Sequence, residues 1–204
     1  SWEEANKIIV KKINETSSDK IAGFTGDLTN METLYVAKEF FNKTIKSKYL
    51  DSRINNTYVN NSNKENYIFN SKINGIEDSD LIVLIGTNPR IEATILNLRI
   101  RKSYLKNNLE VYSIGDVGDL TYPYTSVPNE TKIIKDIIEG KHILSSKIEN
   151  SKRPLIIIGH SVLNLKSGKY VFEKIKNYLT SINKITDNWN SLNVLSKDAS
   201  TVGS

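Results

Sequence analysis

The sequence predicts an α/β fold, a Rossmann-like parallel sheet flanked by helices. Three observations carry this. Leu81-Ile-Val-Leu-Ile85 and Pro154-Leu-Ile-Ile-Ile-Gly159 are continuous, partly β-branched apolar runs, the mark of strands buried on both faces. A break follows each run: Gly86-Thr-Asn-Pro89 after the first, Gly159-His-Ser161 after the second. Segments with helical period then alternate with short strands along most of the chain, as in a parallel sheet with right-handed crossovers.

In chain order, Ser1 and Glu4 form a capping box for a helix over 2–13, with Trp2, Ala5, Ile9 and Ile13 on one face. A short strand is expected over 20–25, then a helix over about 31–45 capped by Asn30 or Thr29, with Leu34, Ala37, Phe41 and Ile45 apolar. Residues 51–66 carry Asn55, Asn56, Asn60, Asn61 and Asn63 and read as a polar loop with little regular structure. A short extended piece over 66–70 precedes the central strand, 81–85. Pro89 suits the first turn of the next helix, where Ile91, Ile95, Leu98 and Leu105 recur near helical spacing and Arg90, Arg99, Arg101, Lys102 and Lys106 occupy the other faces. A strand over 110–115, a loop over 116–124, helices over about 130–138 and 143–150, and the strand at 153–159 follow. A helix over 169–182 faces inward through Val171, Phe172, Ile175 and Leu179, and 191–195 reads as the start of a last helical stretch. The expectation is one α/β domain over 1–204.

Composition narrows the chemistry. There are no cysteines, so this sequence has no disulfide, cysteine-ligated cluster or cysteine nucleophile. His142 and His160 are the only histidines and stand in no ligand-like spacing, so no metal site is expected. The net charge of +5 comes from scattered lysines rather than a dense basic run, which argues against nucleic acid. No stretch reaches the roughly 20 apolar residues of a membrane helix. Asn, Lys, Ile, Tyr and Ser are abundant, a bias expected of an AT-rich genome such as an organelle's. The chain opens on Ser1 with no visible leader, and is expected to be a processed product or a piece of something longer.

No catalytic constellation emerges. Dinucleotide cradles and P-loops need glycines that let the backbone approach phosphate. Gly86-Thr-Asn-Pro has one, and Gly23/Gly26 and Gly115/Gly118 are wrongly spaced. His160-Ser161 has no nucleophile elbow around it. Asp116 and Asp119 read as turn residues rather than an acid–base pair. Arg90, Arg99 and Arg101 are the most suggestive charges; they suit a phosphate or, the preferred reading, ion pairs with Glu92, Asp80 or a partner subunit.

The block Gly86-Thr-Asn-Pro-Arg-Ile-Glu-Ala-Thr-Ile-Leu-Asn-Leu-Arg-Ile-Arg-Lys-Ser103 closely resembles the C-terminal, molybdopterin oxidoreductase-like part of the large iron–sulfur subunit of respiratory complex I (the seventy-five-kilodalton or G-type subunit). Ser1-Trp-Glu-Glu-Ala5, Asp78-Ser-Asp80, Ile114-Gly-Asp-Val-Gly-Asp-Leu-Thr-Tyr122, Arg153-Pro154 and Trp189-Asn-Ser-Leu-Asn-Val-Leu195 agree in order and spacing. The resemblance implies a structural, non-catalytic portion of the peripheral arm, with no cofactor of its own. Its partners would be other complex I subunits, above all a cysteine-rich iron–sulfur chain or N-terminal half. Its place would be the matrix side of the mitochondrial inner membrane, with no span of its own. The family continues beyond Ala199-Ser200, so an incomplete domain with an edge needing cover is expected. The alternative is an oxidoreductase domain retaining a pterin or nucleotide near Gly86–Arg90.

Overall fold

Ser1 opens the first helix, α1 (Trp2–Glu15), with the capping box its sequence predicts: Ser1 Oγ accepts from Glu4 N, and Glu4 reaches back to the Ser1 amine. The computed structural model describes residues 1–26, 28–52, 57–198, 200 and 202. Internal contacts divide the chain into two units, Ser1–Asn55 with Asp198–Ser204, and Asn56–Lys197.

In the first unit, β1 (Gly23–Phe24) pairs in parallel with β2 (Leu50–Asp51). The strand expected over 20–25 is thus shorter, because Ser18–Lys20 forms a 3-10 turn instead. Between β1 and β2 lies α2 (Met31–Glu39), capped by Asn30 Oδ1 on Thr33 N at 2.8 Å. The helix expected to reach 45 passes at Phe40 into a wider π turn, and Lys46 then ends it in the left-handed conformation. Leu34 and Ile45 are buried here, but no residue of α1 is. The shared face of Trp2, Ala5, Ile9 and Ile13 therefore remains largely open, with Trp2 and Ile9 exposed.

The second unit is built on β3 (Leu81–Ile85), whose five residues are all buried. After it come α3 (Pro89–Glu92), α4 (Thr94–Asn107), β4 (Glu110–Ile114), β5 (Thr125–Val127), α5 (Thr131–Ile138), α6 (Ile143–Asn150), β6 (Pro154–Gly159), α7 (His160–Leu163), α8 (Gly168–Ser181) and β7 (Leu192–Leu195). The five strands form one parallel sheet in the order β5-β4-β3-β6-β7. Alternation along each strand splits the core in two. Leu81, Val83, Ile85, Ile156 and Ile158 join Ile134, Ile137, Leu144, Ile148, Phe172, Ile175 and Leu179 on one face. Ile82, Leu84, Leu155 and Ile157 join Leu96 and Ile100 of α4 on the other. Right-handed crossovers demand this, because β3→β4 and β6→β7 step in opposite directions along the sheet.

Two expectations fail in this unit. Residues 192–195 form β7, not a helix: the sheet edge offers β6 as partner, and burial on both faces overrides helical spacing. In α4 the inward residues are Leu96, Asn97, Ile100 and Ser103, whereas Ile95, Leu98 and Leu105, like Ile91 of α3, are exposed. The β7 edge is covered by the chain itself, since Val194 N donates to Ile68 O at 3.1 Å and Asn70 Nδ2 to Leu192 O at 2.7 Å.

The polar stretch 51–66 is more ordered than its composition suggests over 57–66; its residues 53–56 lie outside those described. Tyr58 stacks obliquely on Phe172, and its hydroxyl donates to Glu173 at 2.5 Å. Asn60 Nδ2 donates to the same carboxylate oxygen at 2.9 Å. Asn66 is buried and accepts from Lys176.

Candidate functional site

In open α/β sheets the ligand crevice forms at the carboxyl ends of the strands, where strand order reverses. Here that switch point lies between β3 and β6. Ile85 is level with both Ile114 and Ile158, so the exit loops of β3, β4 and β6 start at one height.

The two loops at the switch point abut. Gly86 has φ +62°, and a Cβ there would lie 2.6 Å from Val162 Cβ and 2.7 Å from its backbone nitrogen. A Cβ on Gly159 would stand 2.4 Å from the Gly86 carbonyl oxygen. Both glycines are thus required by the approach of one loop to the other.

The β3 exit loop also supplies its own anion. Glu92 accepts from Thr87 Oγ1 at 3.0 Å and from Asn88 N at 3.0 Å. Asn88 Oδ1 caps α3, accepting from Arg90 N at 3.0 Å and Ile91 N at 3.3 Å. Three backbone donors at this helix start are therefore satisfied by side chains of the same loop. The pattern resembles a capping box displaced by one residue, and the Asn88-x-x-x-Glu92 spacing is its sequence signal.

The β4 exit loop is tied down against α3 and α4. Asn88 Nδ2 donates to Val117 O at 2.8 Å. Arg90 Nη1 donates to Asp119 O at 2.8 Å and Asp119 Oδ2 at 2.6 Å. Asn97 is buried, donating to Leu120 O at 3.0 Å and accepting from Tyr122 Oη at 2.8 Å. Burial pushes the Tyr122 hydroxyl well above its ordinary range, keeping it a donor. The Thr121 N–H and then Arg90 hold Asp119 below the usual carboxylate range, as the Tyr124 hydroxyl and the Gly118 N–H do for Asp116.

The sequence candidates separate accordingly. Arg90 makes an ion pair, but with Asp119 rather than Glu92 or Asp80. Arg99 and Lys102 share Glu77, while Arg101 is exposed. Asp116 and Asp119 hold turns, as expected. His160 begins α7 with Nδ1 3.5 Å from Thr57 Oγ1, and Ser161 faces solvent. His142 caps α6, its Nδ1 accepting from Leu144 N. Among the described residues no three His, Asp or Glu side chains group as metal ligands, and no helix is long and apolar enough to cross a membrane. Sequence reasoning missed the roles of Glu92, Asn97 and Asp80. Asp80 accepts from Ser151 Oγ, from Lys152 N at 2.7 Å and from Arg153 N at 3.0 Å at the opposite end of the sheet.

The family model for molybdopterin oxidoreductase matches residues 1–204. The chain belongs to the molybdopterin oxidoreductase family. Over its full length it is 40% identical to the NADH-ubiquinone oxidoreductase 75 kDa subunit of Reclinomonas americana, covering 31% of that protein. It is 34% identical, over 100% of the chain, to an NADH-quinone oxidoreductase subunit of Rickettsia prowazekii, covering 30% of it. Across 99% of the chain it is 31% identical to the mitochondrial NADH dehydrogenase (ubiquinone) iron-sulfur protein 1 of Solanum tuberosum, covering 27% of it. The chain thus spans about three tenths of the length of these curated relatives.

The family's name implies a pterin cofactor, and the residues at the switch point do not fit one. A phosphate arm there would compete with the Glu92 carboxylate for Asn88 N and Thr87 Oγ1, and the nearest arginine is already neutralised by Asp119. No cysteine exists to ligate a metal.

Proposed function

We propose that this chain is a structural, non-catalytic portion of the peripheral-arm subunit of mitochondrial complex I. It supports electron transfer from NADH to ubiquinone carried by clusters on other chains. The observation that carries the reading is Glu92, whose carboxylate occupies donors that a cofactor phosphate would use. The similarity to complex I subunits across the whole chain and the lack of cysteine support it. Asn88, Arg90 and Asn97 then serve to lock the β4 exit loop to α3 and α4, making this end of the sheet a rigid support. The partners are other complex I subunits, especially a cysteine-rich iron–sulfur chain or N-terminal half, on the matrix side of the inner membrane.

Native purification, with mass spectrometry of the associated chains and of released small molecules, tests this. Co-migration with complex I subunits, without pterin or nucleotide, is the expected result. Stoichiometric release of a nucleotide or pterin overturns it.

A further inference from the structure

Helix α4 has two apolar faces. Leu96, Asn97, Ile100 and Ser103 are buried. On the opposite side Ile95 is 64% exposed, Leu98 57% and Leu105 70%, and Ile91 in the turn before is 78% exposed. Positions 95, 98, 102 and 105 are separated by three, four and three residues, the alternation of a and d positions in a heptad repeat. Lys102 takes one a position. The flanking e and g positions are Thr94, Arg99, Arg101 and Lys106: three cations and no acid. Arg99 and Lys102 share Glu77, while Arg101 and Lys106 make no ion pair among the described residues.

We infer that this seam docks an amphipathic helix of a partner chain, apolar at its own a and d positions and acidic at the positions beside them. Charge complementarity selects that occupant. A second copy would set Arg and Lys against Arg and Lys, and like charges across a seam oppose pairing. A lone cation at an a position sets the register of one helix on another, and a lipid surface has no register to read. The inference rests on the scaffold reading, naming the kind of partner the scaffold holds.

Zero-length carbodiimide coupling of the purified native assembly tests it, because this reagent joins an amine only to a carboxylate in contact. Lys102 Nζ lies 3.1 Å from Glu77 Oε1, so their coupling is the internal control. The expected result is a further product joining Lys102 or Lys106 to an Asp or Glu on another chain, within a segment carrying apolar residues at heptad spacing. The double variant Leu98→Glu, Leu105→Glu should reduce that product at least tenfold with unchanged melting, since both side chains face solvent. Coupling to Glu77 alone overturns the proposal. So does a product of twice the chain's mass, or a partner product undiminished in the variant. Flotation of the purified chain with phosphatidylserine vesicles that the variant abolishes assigns the seam to lipid and also overturns it. The scaffold reading fails separately, through released cofactor, whatever the coupling shows.

Discussion

Glu92 Oε1 accepts the backbone N–H of Asn88 at 3.0 Å, while Asn88 Oδ1 caps the next two N–H groups of the chain beyond Pro89. The two side chains satisfy each other's turn. Glu92→Ala leaves Asn88 N and Thr87 Oγ1 without their acceptor and should cost about 1–2 kcal/mol of folding stability. Glu92→Gln keeps a neutral acceptor and should lose less. Urea denaturation of the three proteins checks the order.

Asn97 is the buried bracket between α4 and the loop before β5. Asn97→Ala strands Leu120 O and Tyr122 Oη together, and a loss of about 2–3 kcal/mol is expected. Tyr122→Phe removes only one of those bonds and should cost about 1 kcal/mol. Because the residues share a bond, the double variant should lose less than the sum. A double-mutant cycle from thermal melts measures the coupling.

Asp80 gives the acid limb of stability. Burial raises its pKa, but the Ser151 hydroxyl and the N–H groups of Lys152 and Arg153 outweigh that, so the carboxyl titrates below its ordinary value. A folded pKa below the unfolded one means stability that is present above the unfolded value, about 3.9, and lost as pH falls through the folded one. Asp80→Asn should therefore lower stability at neutral pH and flatten its decline in acid. Denaturant midpoints measured from neutral pH down through the carboxylate range test the sign.

Ser113 Oγ is the one buried side-chain polar atom among those described that has no hydrogen-bond partner. Ser113→Ala removes that unpaired group from β4, and an increase of up to about 1 kcal/mol is expected. A higher melting temperature is the readout.

The extent to which the site could be read in advance follows the range of the forces involved. The capping box at Ser1, the turns held by Asp116 and Asp119, and the role of Pro89 are local, so neighbouring residues sufficed. The partner of Arg90 is Asp119, 29 residues away on the exit loop of the next strand, and no local spacing pointed to it. Tyr58 and Glu173 are 115 residues apart, which is why 57–66 read as a plain polar loop.

By itself the sequence determined the parallel α/β sheet, because β3 and β6 are apolar at every position and only a doubly covered strand can bury such a run. It also determined, through its lack of cysteine, that no cysteine-bound cluster resides in these residues. Only the tertiary structure decided which apolar face of α4 lies against the sheet. Two stripes share that helix, and periodicity favours neither. The choice rests with Asn97, bonded to the loop that follows β4, and with Arg99 held by Glu77, contacts that exist only once distant segments meet.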